Sequence, residues 1–215
     1  MRATRHVLRW DPYLEPDEDD MEFRLTYDGP LLAFRDDSTR FERALHVHDI
    51  RKRFHKQLAV LWREHPVLSA MGHPKREYGD VLQFIDGHNF EWLPIVNKDN
   101  GLICRLDILM LREGQPGRAL YDIDNRLKTV FDALRLADTP TELGAKSSKG
   151  QQVPGPDETP FYVLLQNDNL ITHVAVTTDT LLEPVSNVPK DQAVRLVIGV
   201  TIRPYKSTMD NADFA

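Results

Sequence analysis

The chain has 215 residues, 41% of them hydrophobic, with a net charge of −6 and one cysteine. That length and composition suffice for one globular domain with a full core. They exclude an internal disulfide framework. No apolar run reaches the length of a membrane span and the first residues lack a leader pattern, so the expectation is a cytoplasmic protein in a reducing compartment.

In chain order, residues 1–20 read as an irregular acidic N-terminal arm, with six acids between Asp11 and Asp20 and with Trp10 and Tyr13 as docking points. Glu22 to Tyr27 alternates Phe23, Leu25 and Tyr27 and ends at Asp28-Gly29-Pro30, which predicts a strand followed by a turn. Arg40 to Glu64 is the longest helical candidate and stops before Pro66. Val81 to Ile85 and Leu102 to Leu111 read as strands, Cys104 being a small buried side chain in the second. Gly114 to Gly117 turns the chain, and a helix follows to about Leu136. Ala137 to Pro160, rich in Thr, Ser, Lys, Gly and Pro, reads as a long loop. Leu170 to Thr177 and Val194 to Ile202 complete the strands, and residues 207–215 form a polar C-terminal tail. The main body, 21–206, is then a single α/β (α+β) domain with a mixed sheet packed by helices.

Net charge of this sign argues against a polyanion ligand, but the distribution qualifies it. Between Arg40 and Arg63 there are seven basic residues, including Arg51, Lys52, Arg53 and Lys56, against two acids, Glu42 and Asp49. The segment is either a stripe facing nucleic-acid phosphates or a solvated helix face. His48 and His55 share a helix face but stand too far apart along it for one zinc. Trp92 is either a platform for a base or a core side chain. No Gly-x-Ser-x-Gly, phosphate-binding glycine loop or Gly-x-Gly-x-x-Gly occurs.

The chemistry concentrates in Asp122-Ile123-Asp124-Asn125-Arg126-Leu127-Lys128-Thr129-Val130-Phe131-Asp132-Ala133-Leu134. Leu127, Val130, Phe131 and Leu134 recur at helical spacing and anchor the helix in a core. Asp124 or Asn125 can cap its first turn. In an extended entry Asp122 and Asp124 point to one side, roughly 6.6 Å apart, within reach of one hard cation. Lys128 lies one turn further on, its plainest role an ion pair with Asp132.

This string resembles the Asp-x-Asp-Asn-x-x-Lys-x-x-x-Asp-Ala-Leu motif of the RusA-like Holliday junction resolvases, through Asp122, Asp124, Asn125, Lys128, Asp132, Ala133 and Leu134. The family's second acidic element, usually Asp-Asp just before a strand, is matched by Asn167-Asp168, with Asn167 in place of the first aspartate and a longer connection than the family's. Asp157 and Glu158 are weaker substitutes for Asp168. The resemblance implies a RusA-like fold and a metal-dependent endonuclease that hydrolyses phosphodiesters in branched DNA. Asp122, Asp124 and Asp168 would hold Mg²⁺, with Mn²⁺ as the alternative ion, and Lys128 would act on the phosphate. It further implies a homodimer and a phage or prophage setting. The rival expectation is a non-catalytic nucleic-acid-binding or assembly protein on the same fold, favoured by Asn167 and the acidic balance. An Asp-x-Asp nucleotide-sugar enzyme is a third, disfavoured for want of a nucleotide cradle.

Overall fold

The computed structural model describes residues 20–32, 40–70, 81–85, 88–113, 123–143, 155–206, 211 and 214; at 40, 70, 81–85, 88–90 and 140 the backbone alone is described. Asp122, residues 1–19 of the N-terminal arm, residues 144–154 and most of the tail lie outside these.

The elements are β1 (Met21–Pro30), α1 (Arg40–Glu64), α2 (Pro66–Ala70), β2 (Val81–Ile85), β3 (His88–Val96), β4 (Leu102–Arg112), α3 (Ile123–Leu134), β5 (Phe161–Leu165), β6 (Ile171–Thr180) and β7 (Ala193–Pro204). Two 3-10 turns, at Pro140–Leu143 and Asp168–Leu170, complete them. The fold is α+β with mixed sheets. One sheet has the order β1-β7-β4-β6, with β7 antiparallel to both neighbours and β6 parallel to β4. The other has the order β2-β3-β5, with β3 parallel to β5.

Period-2 alternation sorts the larger sheet into two faces. The rows Met21–Ile202–Cys104, Leu25–Ile198–Ile108 and Tyr27–Leu196–Met110 run across β1, β7 and β4 and are buried. The intervening positions carry Glu22, Arg24, Thr26 and Asp28 on β1 and Arg105 and Asp107 on β4, so the opposite face is polar. Helix α1 lays Val47, Ile50, Phe54, Leu58 and Trp62 into the same core as the buried rows, and α3 adds Val130, Ala133 and Leu134. Cys104 is buried, which pushes its thiol up to about 12 and removes thiolate chemistry at neutral pH.

Three strands depart from the sequence reading. Asp28, Gly29 and Pro30 extend β1 instead of forming a turn, because Arg195, opposite Asp28 on β7, holds the Asp28 carboxylate at 2.9 Å. Strands β3 and β5 were not anticipated. Phe161–Leu165 directly follows what reads as a polar loop, and it pairs with β3 deep in the fold.

Candidate functional site

Helix α3 is fixed by one buried face. Arg126, Thr129, Val130, Ala133 and Leu134 are buried, and Arg126 donates from Nη2 to the Asp191 carbonyl at 2.8 Å, tying the first turn of α3 to the chain just before β7. The Thr129 hydroxyl bonds the Asn125 carbonyl at 3.2 Å and the Leu32 carbonyl at 3.3 Å. The other face presents Asp124 and Lys128, both exposed and four residues apart, hence on one side of the helix. Asp124 Oδ1 accepts the Asn125 backbone N–H at 2.7 Å, which satisfies one donor of the helix start. Lys128 makes no ion pair among the described residues. Asp132, its expected partner one turn on, is taken by Arg43 at 2.9 Å and Arg135 at 3.4 Å.

The C-terminal end of α3 is built on buried and half-buried guanidinium groups. Arg51, 1% exposed, donates to the Asp132 carbonyl at 2.7 Å, the Arg135 carbonyl at 2.9 Å and the Glu142 carbonyl at 3.5 Å. Its guanidinium also sits 6.0 Å from the centre of the Trp92 ring. Burial pulls Arg51 down to about 10, opposed by the neighbouring Glu142 carboxylate, and it stays protonated at neutral pH. Arg135 in turn binds Asp132, Asp138 at 2.7 Å and Glu142 at 3.1 Å. Helix carbonyls left without intrahelical partners are thus met by a cation, the sign the helix dipole favours at that end.

This overturns the expectation for Arg51: it is a core group that closes a helix, with no surface to offer a phosphate. The other three basic candidates divide. Lys52 lies 3.3 Å from Glu158. Arg53 donates to the Asp28 carbonyl and stacks over Tyr27, 5.1 Å from the ring centre. Lys56 is exposed. Trp92 is fully buried with Leu136, Ala137, Leu143, Phe161 and Val163, which excludes a stacking platform. His48 and His55 flank Phe161, with ring centres 5.9 and 4.4 Å away, and burial pushes both imidazoles down. His55 Nδ1 receives the Tyr162 N–H at 2.9 Å, so both histidines are satisfied core groups.

Asp168 occupies the 3-10 turn before β6, as its position ahead of an alternating run predicts, and it is exposed. Asn167 caps that turn, its Oδ1 accepting the Asn169 N–H at 3.0 Å. The turn nevertheless stands at the wrong end of α3 to share a cation with Asp124. Leu165 receives the Leu136 N–H at 3.0 Å just past the end of the helix, and β6 begins beside Cys104, near the start of β4. Asp124 lies at the other end, by Asp191 and the start of β7, where β7 meets the last residues of β4. From Asp124 to Leu134 the helix rises roughly 15 Å. The expected convergence of Asp168 with Asp124 is therefore not found. Of the substitutes, Glu158 binds Lys52 and the Gly155 N–H at 2.9 Å, and Asp157 is exposed, its backbone carbonyl facing His55 at 2.9 Å. Among the described residues no three His, Cys, Asp or Glu side chains are grouped to hold a metal ion. Asp122 lies outside the described residues.

The sequence reading missed Arg51 as a core residue, although its spacing marks it. It falls between Val47 and His55, four residues from each, on the stripe that also carries Phe54 and Leu58. Comparison with protein-family models, with curated proteins and with solved structures finds no match.

Proposed function

We propose that the chain is a Mg²⁺-dependent, structure-selective endodeoxyribonuclease acting on branched DNA such as Holliday junctions. The observation that carries this reading is the exposed Asp124–Lys128 pair on the anchored helix α3, two residues after Asp122. Mg²⁺ keeps most of its water and takes only one or two protein carboxylates together with substrate phosphate. Asp122 and Asp124 are then a sufficient donor set. A hard, solvent-accessible carboxylate at Asp124 fits such an ion, and Asp168 is not required by it. When bound, the ion supplies a Lewis acid and lowers the pKa of its water.

The chain's own residues do the positioning. The N-terminal end of α3 carries a partial positive charge that favours a phosphate. Lys128, without a carboxylate partner among the described residues, is available to meet charge building on the phosphoryl oxygens. Arg126 and Thr129 hold the helix still while this happens. Along with this reading go a homodimer, Mn²⁺ as a substitute ion, a cytoplasmic location and a phage or prophage origin.

A second reading is favoured by one observation, the separation of Asp168 from Asp124: a nucleic-acid-binding or assembly protein that uses the fold without cutting. One experiment divides the two. Labelled four-way junction, flap and linear duplex are incubated with the protein with and without Mg²⁺ or Mn²⁺. Metal-dependent cleavage confined to branched substrates supports the nuclease. Retention of the junction without cleavage under any metal supports the second reading.

A further inference from the structure

The larger sheet ends in two edges, and they are treated differently. At Thr26 and Asp28 of β1 the free backbone groups are occupied by α1. The Thr26 N–H donates to Gln57 Oε1 at 2.9 Å, and Gln57 Nε2 donates to the Thr26 carbonyl at 2.8 Å, so one side-chain amide reproduces the pairing a neighbouring strand would make. Arg53 takes the Asp28 carbonyl, and Pro30 has no N–H to offer. No further strand can add to that edge without displacing α1.

Strand β6 has none of these guards. It is ten residues long, Ile-Thr-His-Val-Ala-Val-Thr-Thr-Asp-Thr, without proline, lysine or arginine. Its register with β4 is unbroken from Arg105–His173 to Arg112–Thr180. None of its ten residues is buried, and Val174 is 39% exposed. Among the described strands it pairs with β4 alone. A long, regular edge rich in β-branched residues is a template for another strand, and soluble proteins blunt such edges or cover them.

We infer that β6 is covered by β6 of a second copy of this chain, paired antiparallel about a twofold axis centred on Val176. The sequence of the strand is complementary to its own reverse in that register and in no neighbouring one. Residues opposite each other across an antiparallel ladder share a face. Centring on Val176 sets His173 opposite Asp179 and Ala175 opposite Thr177 on the polar face. On the other face it sets Thr172 opposite Thr180 and Val174 opposite Thr178, with Val176 meeting its own copy. The His173–Asp179 pair then forms twice, once on either side of the axis, and no like charges meet. Moving the centre to Ala175 or Thr177 sets Asp179 opposite Ile171 or Ala175 and loses both pairs. The product is one continuous eight-stranded sheet with an isologous interface. This deepens the homodimer that accompanies the nuclease reading, but it rests on the sheet edges and not on the cleavage chemistry.

The test is sedimentation velocity of the full chain across a dilution series. The wild type is expected to sediment at twice the chain mass and to dissociate on dilution. Asp179→Lys sets an ammonium opposite His173 at both ends and, being on an exposed side chain, leaves the fold intact. It is expected to weaken the dimer about tenfold, two cross-strand pairs being lost at once. Combining it with His173→Asp restores a complementary pair and is expected to recover most of the affinity. Val176→Pro, at the centre, is expected to give monomer, and if it fails to fold the charge variants decide. A wild type that stays monomeric throughout the series overturns the inference, as does a dimer that Asp179→Lys leaves unchanged. A dimer that cuts no junction sinks the nuclease reading alone, and a monomer that cuts sinks this inference alone.

Discussion

Replacing Arg51 with methionine isolates what its guanidinium does, because the aliphatic stem is largely retained while every donor is lost. Two short bonds, to the Asp132 and Arg135 carbonyls, disappear together with the longer one to Glu142. Bonds from a charged donor contribute about 1.5–3 kcal/mol each. The two short ones therefore account for about 3–6 kcal/mol before the apolar replacement recovers part of the packing. Breaking a buried ionic arrangement by removing one partner costs about 3–5 kcal/mol by independent measure. Taking 3 kcal/mol as the net loss, and about 2–4 °C per kcal/mol for a domain of this size, the melting temperature falls by about 6–12 °C. Thermal and urea denaturation followed by circular dichroism measure it. Arg51→Lys keeps the charge but not the fork geometry that reaches several carbonyls, so it should fall between the two. A loss below about 1 kcal/mol for Arg51→Met would show that α3 does not depend on this cap, and the burial argument against a DNA role for Arg51 would lose its force.

Three further outcomes follow from the same geometry. Asp124→Asn should abolish metal-dependent junction cleavage while leaving the melting temperature within about 1–2 °C, since the side chain is exposed and asparagine still caps; Asp168→Asn, at the other end of α3, should leave cleavage largely intact, and equal losses in the two variants would refute their separation. Changing Lys52, Arg53 and Lys56 together to alanine should lower junction affinity and flatten its salt dependence if this face meets phosphate, whereas parallel lines at equal affinity in a salt series would assign them to Glu158, Asp28 and solvent alone. Burial, with Arg51 and Lys52 adding to it, pushes the His48 imidazole down to about 3 from an ordinary value near 6.5, so the unfolded chain takes up a proton that the folded chain does not between those values. Stability is then fully present above about pH 6.5 and falls by up to about 1.4 kcal/mol per pH unit as the pH drops towards 3; His48→Asn should reduce that slope in urea titrations between pH 4 and 7, and an unchanged slope refutes the assignment.

The elements whose pattern is local were legible. Arg40–Glu64 forms with the bounds that its composition and Pro66 set, and β4, β6 and β7 lie where alternating apolar residues put them. What escaped were elements defined by partners far off in sequence. Phe161–Leu165 is too short to show a period, and it is a strand because β3 lies beside it. Trp92 is buried for the same reason. The candidate site divides along the same line. That Asp124 and Lys128 share an exposed helix face follows from a spacing of four. Whether Asp168 joins them depends on the end of α3 at which the chain returns to the sheet, and the parallel pairing of β4 and β6 decides that. Arg51 looked like surface because arginine is rarely buried. Only the carbonyls at the end of α3, more than eighty residues away in the chain, explain why it is not.

The place of β7 bears on how the chain is made. It is the last strand in sequence among the described elements, yet it lies between β1 and β4 and hydrogen-bonds both along their whole lengths. During synthesis β1 emerges early and then waits for more than 160 residues before the strand that pairs with it leaves the ribosome. Until then the buried face of β1, with Met21, Leu25 and Tyr27, has nothing to close against, and β4 lacks one of its two neighbours. Closing contacts of such long sequence separation is slow. The nascent chain therefore spends most of its synthesis with an open, apolar half-sheet that only the strand Ala193–Pro204 closes.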